Sequence, residues 1–392
     1  MTTPPPAAEA PLAVFVRPGS FPITRVVRNL RVAEARGYRT LYLGAARDAA
    51  LPRKDRWEGF AIERVGIAYA LLGGRKAWLY LAGVLSFALA ANWRLFRLRP
   101  AIVHASDVEG MLGCLLYRLL FRRSRLLFNV HDNMHQRYAC PAWMKSLMRT
   151  FEGVVARFAD DIILPDERRV AALSPLATQP PVLVPNTPED PGTPSPMPSG
   201  PTRLLLVGWL DWRRGVETAR QLLDRTVDLE LVVAGDGPPD VIAAIRSLPR
   251  TTYHGFVAHE EVFRLADGCH AFLALYDPVS EINRNASPNK VGDALALGRP
   301  TVINSEVAVA AELDAAGAAL SVPYHDIDAL AEAVATRLGN AVSRERMSRA
   351  ARAHYVAAYD WALFKPRVEA LFPAVGEVLE KTVTADPLRV AA

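Results

Sequence analysis

The chain has 392 residues, of which 51% are hydrophobic and 22% charged. That is the composition of a globular protein, and the length favours two domains over one. Cys114, Cys140 and Cys269 show neither a disulfide framework nor metal-ligand spacing, which fits a reducing compartment. The opening MTTPPPAAEAP lacks the basic and apolar regions of a secretory signal, so a cytoplasmic location is expected. The net charge of +5 conceals an asymmetry: residues 1–187 hold 26 Lys and Arg against 14 Asp and Glu, the remainder 20 against 27. A basic first half attracts nucleic acid, anionic lipid or a phosphorylated substrate. No interleaved aromatic and basic strand motif favours nucleic acid.

Strands and helices alternate along the first half. Leu12–Val16 reads as a strand, Pro22–Arg36 as a helix closed by Gly37, and Thr40–Leu43 as the next strand. Seventeen uncharged residues, Ala77–Trp93, precede an arginine-rich stretch. The run suits a buried helix, a helix lying on a membrane surface with arginines at the headgroups, or, being short for it, a span. Then come a strand at Ile102–His104, a helix near Gly110–Leu120, a strand at Leu126–Val130, a helix at Trp143–Phe158, and strands at Asp161–Leu164 and Val182–Val184.

The segment TPEDPGTPSPMPSGP, residues 187–201, is too rich in proline to form an element and reads as a linker. The pattern then restarts. Strands are expected at Leu204–Val207, Leu229–Ala234, Thr252–His254 and Ala271–Leu275, and helices at Gly215–Leu223, Asp240–Ser247 and Glu260–Ala266. Near the end, Ile327–Leu338, Arg344–Tyr359 and Trp361–Lys381 read as helices. This alternation implies two doubly wound parallel sheets facing a cleft, with ligands at the carboxyl ends of strands. The expected division is 1–187, linker 188–202, second domain 203–360, and a terminal helix and tail, 361–392, returning to the first domain.

The stretch SPNKVGDALALGRPTVI, residues 287–303, is the most informative. Ser287 can cap a helix, Pro288 suits its first turn, Gly298 can end it, and Thr301–Ile303 starts a strand. The first turn then offers free N–H groups and a positive dipole end. Lys290 and Asp293 share one helix face. A cation there suits a diphosphate, and a carboxylate one turn on can accept two hydrogen bonds from a ribose diol.

Four blocks carry a family resemblance. Leu206-Val207-Gly208-Trp209-Leu210-Asp211-Trp212-Arg213-Arg214-Gly215 looks like a "vGrl…KG" loop. Leu231–Pro238 looks like "l.iaGdGp", and Tyr253–Val257 followed by Leu265-Ala266-Asp267 like "v.f.G.v…l..aD". The stretch from Ser287 looks like "sP.K..EalA.G.PvV". In this order they resemble the retaining glycosyltransferases of family 4, which have the GT-B fold of two Rossmann-like domains. More loosely, Pro18–Pro22 sits where such enzymes place a glycine loop near donor phosphates. Ile102–Asp107 and Phe128–Asp132 resemble "divHahd" and "vydaHe" of enzymes that extend lipid-linked sugars for capsules, exopolysaccharides and O-antigens.

The resemblance implies a nucleotide-diphosphate sugar as donor substrate, no cofactor, no metal, and a polyprenyl-diphosphate glycan as acceptor. It assigns donor binding to Gly19, Gly208, Arg213, Arg214, Gly255, Ser287, Pro288, Asn289, Lys290 and Asp293, and first-domain active-site roles to His131 and Asp132. It departs from the family where Trp209 replaces an arginine and where a Glu pair becomes Asn285 and Asp293, with Glu281 nearby as a substitute. The alternatives are a sugar-nucleotide 2-epimerase of the same fold, and a non-catalytic binder of nucleotide sugar or membrane. A dinucleotide site is disfavoured, because Pro238-Pro239 follow Gly235-Asp236-Gly237 and no third glycine completes the motif.

Overall fold

The computed structural model describes residues 10–67, 77–138 and 140–375. The chain divides into two units, residues 1–184 with 365–392 and residues 185–364.

Unit 1 carries strands β1 (Leu12–Arg17), β2 (Arg39–Ala45), β3 (Lys54–Trp57), β4 (Phe60–Val65), β5 (Ile102–Ser106), β6 (Arg125–Asn129), β7 (Asp161–Leu164) and β8 (Pro181–Leu183). They form one sheet in the order β3-β4-β2-β1-β5-β6-β7-β8. All neighbours run parallel except β3 and β4. That hairpin was not foreseen, because Lys54, Asp55 and Arg56 are charged in succession and show no apolar alternation at the sheet's edge. The helices are α1 (Thr24–Ala35), α2 (Ala77–Leu98), α3 (Asp107–Leu112), α4 (Leu115–Leu120) and α5 (Ala142–Ala156). The helix expected near 110–120 is thus two short ones. Alternate residues of the central strands, among them Val14, Val16, Val103, Ala105, Leu126, Phe128, Ile162 and Leu164, build one core.

α2 is apolar on all sides but buried on one. Val84, Phe87, Ala88, Ala91 and Leu95, at helical spacing, are buried, whereas Leu81, Leu85, Leu89 and Trp93 are 52–65% exposed. Buried Asn92 pins the helix: Nδ2 donates to the carbonyls of Ala88 and Leu112, and Oδ1 accepts from the Tyr117 amide. No helix among the described residues is long and apolar enough to cross a membrane.

Unit 2 carries strands β9 (Thr202–Trp209), β10 (Leu229–Asp236), β11 (Thr251–Tyr253), β12 (Ala271–Ala274), β13 (Thr301–Asn304) and β14 (Ala319–Val322). The order is β11-β10-β9-β12-β13-β14, all parallel. Leu204, Leu206, Leu231, Val233 and Leu273 face one core, and Leu205, Val207, Ala234 and Phe272 the other. A sheet covered on both sides needs such unbroken apolar strands. The helices used below are α6 (Val216–Arg225), α7 (Pro239–Ser247), α8 (His259–Asp267), α9 (Glu281–Arg284) and α10 (Asn289–Ala296).

The proline-rich segment is not a free linker. It belongs to unit 2 and forms no element, yet it is held as a strap. Arg299, fully buried, donates to the carbonyls of Ser195, Pro196, Ala266 and Asp267. Tyr355 donates to the Pro188 carbonyl and Arg352 pairs with Asp190. One buried guanidinium satisfies carbonyls that no ladder reaches. The terminal helix spans Trp361–Leu371, short of the expected Lys381, and residues 376–381 lie outside the described set. Residues from Lys365 onward fall in unit 1. There Phe372 is buried and stacked on Phe15, and its carbonyl accepts from Arg36.

Candidate active site

Strand order in unit 2 reverses between β9 and β12, and ligands of open parallel sheets gather at the carboxyl ends flanking such a switch. Gly208 and Trp209 end β9 there; Tyr276 and Asp277 follow β12. The loop glycines permit a close approach that other residues forbid. A Cβ on Gly235 (φ +147°) would lie 1.9 Å from the Gly208 carbonyl oxygen, so β9 and β10 stay paired to their very ends.

After β9, Asp211 caps a short turn by accepting the Arg213 amide at 2.9 Å, and Gly215 (φ +96°) releases the chain into α6. Two arginines leave this turn differently. Arg213 is largely exposed, 3.8 Å from Asp277. Arg214 is half-buried, and its side chain makes no hydrogen bond or ion pair among the described residues.

α10 begins one residue later than expected. Pro288 occupies the cap position and makes no side-chain bond, so Ser287 does not cap the helix. Instead the Ser287 carbonyl accepts from Asn186 Nδ2 at 2.7 Å. The chain around Asn186 presses close: a Cβ on Gly292 would lie 2.4 Å from the Asn186 oxygen. This contact explains the glycine between Lys290 and Asp293 and fixes where α10 points. Asn289 is exposed at its start. Gly298 (φ +59°) ends the helix, with the Arg299 amide reaching the Ala294 carbonyl at 2.8 Å.

Lys290 and Asp293 meet different neighbours. The Lys290 ammonium lies 3.4 Å from the Leu273 carbonyl and 5.5 Å from the Tyr276 ring centre, with no carboxylate partner among the described residues. Burial, and then the positive charge of Arg214, bring it down to about 7. Asp293 is 5% exposed, and its Oδ1 lies 3.1 Å from Nε2 of His259, the first residue of α8. His259 was missed by sequence reasoning, since nothing local marks a residue 34 positions away. Gly255 (φ +72°) shapes the loop before α8, with open space where a side chain would stand. Asn285 ends α9, and Glu281 begins it.

In unit 1, His131 and Asp132 follow β6. Their amides donate to Asp107 Oδ1 at 2.8 and 3.3 Å. Asp107 is buried at φ +58°, and burial first of all raises its carboxyl to about 6. Asp132 meets Arg169 at 3.2 Å. The His131 ring is held neutral, far below the usual histidine range, by burial and then by nearby arginines. Gly19 lies after β1, and its carbonyl accepts from the Tyr42 hydroxyl at 3.0 Å. His104 is enclosed, stacked on Phe15 and bonded to Asn29 and Asn129, a packing role.

The two Rossmann-like units define the GT-B fold of glycosyltransferases. Residues 201–340 match the family model described as glycosyl transferases group 1, which supports a glycosyltransferase. Comparison of the sequence with curated proteins gave no match. Among solved structures, sucrose-phosphate synthase from Thermosynechococcus elongatus is 16% identical, covers 96% of this chain and 100% of its own, and has a TM-score of 0.74. The E. coli trehalose-6-phosphate structure bound with UDP-2-fluoro glucose is 13% identical over 92% of this chain and 98% of its own, with a TM-score of 0.64. WaaG, a glycosyltransferase involved in lipopolysaccharide biosynthesis, is 14% identical over 92% and 99%, with a TM-score of 0.60.

Proposed function

We propose that this protein transfers a hexosyl or related sugar, with retention and without a metal, from a nucleotide-diphosphate sugar to a polyprenyl-diphosphate-linked glycan in surface-polysaccharide synthesis. The observation that carries this reading is that Lys290, in the first turn of α10, has no carboxylate partner among the described residues and feels the positive charge of Arg214, which has none either. As the bond from the anomeric carbon to the phosphate oxygen breaks, its electron pair moves onto the diphosphate. Groups already aimed at that charge lower the barrier. The free N–H groups near Ser287, Pro288 and Asn289 add to it. Exposed Arg213 can fold over the same phosphates, and Gly208, with open space where a side chain would stand, leaves backbone room beside them. Asp293, steadied by His259, takes the ribose diol, and the loop at Gly255 lies by the base. In this reading His131 and Asp132 serve the acceptor. With attack on the face the leaving group departs, no protein nucleophile is required.

Two structural neighbours support the donor and the stereochemistry: one is bound with UDP-2-fluoro glucose, and the other is a trehalose-6-phosphate synthase studied for glycosyltransfer with retention. The epimerase and the non-catalytic binder gain no support from the family match on residues 201–340.

The exposed faces of three helices of unit 1 support a peripheral place on the inner face of the cell membrane. Leu81, Leu85, Leu89 and Trp93 on α2, Leu116, Leu119 and Leu120 on α4, and Trp143, Leu147 and Phe151 on α5 are all 40–73% exposed. Arg97 lies in the last turn of α2, and Arg99, Arg122 and Arg123 follow α2 and α4 in the chain. Exposed apolar helix faces rimmed by arginine suit an anionic bilayer surface.

Release of labelled sugar from nucleotide sugars, with and without membrane extract as acceptor, tests the enzyme reading. Wild type should turn over at least one donor and Lys290→Ala should lose about 100-fold or more. Equal rates in the two proteins would contradict it.

A further inference from the structure

The carboxyl ends of β1, β5, β6 and β7 in unit 1 gather positive groups that the fold leaves unsatisfied. Arg25, in the first turn of α1, is 3% exposed. Its Nη2 donates to the Val184 carbonyl at 2.7 Å, but Nε and Nη1 are enclosed without an acceptor among the described residues. Arg169, also 3% exposed, approaches Asp132 through Nη1 while its Nε is enclosed without a partner. Nε of Arg17, at the end of β1, and Nε2 of His131, just after β6, are in the same condition. The four lie close enough to act on one another's charge: Arg169 works against Arg25, and Arg25, Arg17 and Arg169 all work against a charged His131.

Buried donors are nearly always paired, so several orphaned together mark a missing acceptor. The nearby carboxylates leave those atoms unpaired. Asp107 holds the amides of His131 and Asp132, Asp132 meets Arg169, and Asp166 accepts from Arg168. β1 and β5 flank the point where strand order reverses in this sheet, the place where open parallel sheets hold ligands.

We propose that Arg25, Arg169, Arg17 and His131 form a second anion subsite, which holds a phosphate or diphosphate ester on the acceptor. Guanidinium forks bind such oxygens two at a time, and three forks offer more donors than the two oxygens of one carboxylate can accept. A neutral imidazole adds a donor without adding charge. The subsite rests on the transferase reading only in naming the ligand as acceptor; the anion site itself stands on unit 1 alone.

The test uses the full chain carrying Lys290→Ala and Arg214→Ala, which removes both donor-side cations, titrated calorimetrically with inorganic phosphate and pyrophosphate. One anion site should remain, and adding Arg169→Gln should weaken it about tenfold or more. Hydrogen exchange on the otherwise wild-type chain, which needs no altered arginine, should show pyrophosphate protecting segments 17–25, 131–132 and 166–169. Pyrophosphate binding well above phosphate assigns a diphosphate ester, and equal binding a monoester. Loss of all anion binding in the Lys290→Ala, Arg214→Ala chain, or no protection of those segments, overturns the subsite. Nucleoside diphosphate binding to Arg169→Gln, measured in parallel, reports on the donor reading separately. Its failure in wild type as well would sink that reading and leave the subsite standing.

Discussion

Nε2 of His259 and Oδ1 of Asp293 lie 3.1 Å apart, joining the first residue of α8 to the middle of α10. The contact holds a buried carboxylate in one rotamer and leaves its other oxygen to accept from a ligand. If that ligand is a ribose diol, Asp293→Ala should weaken nucleoside diphosphate binding by roughly tenfold to 100-fold. Pyrophosphate binding should barely change. Calorimetric titration with both ligands checks this, and equal losses for the two would place Asp293 outside the ribose contact.

Lys290 supplies a pH dependence. Its ammonium is lowered to about 7 in the free protein by burial and Arg214, and a bound diphosphate will raise it. Binding above pH 7 must therefore take up a proton, and affinity should fall toward tenfold per pH unit as pH rises from about 7 to 9. The unfolded chain, with an ordinary lysine, binds more protons than the folded one across this window. The lysine's contribution to stability therefore improves as pH rises above about 7. Lys290→Met should remove both slopes and raise the ligand-free stability at pH 7 by about 1–4 kcal/mol. Titrations in two buffers of different ionisation enthalpy, with melting curves at each pH, measure the two effects.

Arg299 is where the strap's stability concentrates. Arg299→Met would leave the carbonyls of Ser195, Pro196 and Asp267 without their donor, at a cost of about 2–4 kcal/mol. Denaturant unfolding monitored by fluorescence reads this directly. A change under about 0.5 kcal/mol would mean that water serves those carbonyls equally well.

The exposed faces of α2 and α5 make a membrane prediction. Leu85→Glu with Trp143→Glu should abolish flotation with vesicles containing an anionic lipid while leaving the melting temperature within about 2 °C, because both side chains already face solvent. Wild-type binding should weaken as salt rises. Unchanged flotation of the double variant would remove these faces from any membrane role.

How much of this could be read from residues alone differs between the halves. Strands β9, β10, β12 and β13 were legible as short apolar runs, and α10 was marked by Pro288 before it and Gly298 after it, whereas β14 was not foreseen. What escaped depends on contacts distant in sequence. Gly292 is explained by the chain at Asn186, and His259 by Asp293. The strap is explained by one buried arginine about a hundred positions downstream. The β3–β4 hairpin escaped because edge strands carry polar residues on both faces. For the Ala77–Trp93 run, composition allowed a buried helix or a surface helix, and α2 combines them with one face in the core and the other bare.

The most direct measurement of the central claim is a calorimetric panel of UDP, GDP, ADP and their sugars against wild type, Lys290→Ala and Arg214→Ala. One nucleotide series should bind wild type, and each substitution should weaken it by about tenfold or more. No binding by any of the three series, or binding indifferent to both substitutions, would contradict the assignment of Lys290 and Arg214 as the clasp for a donor diphosphate.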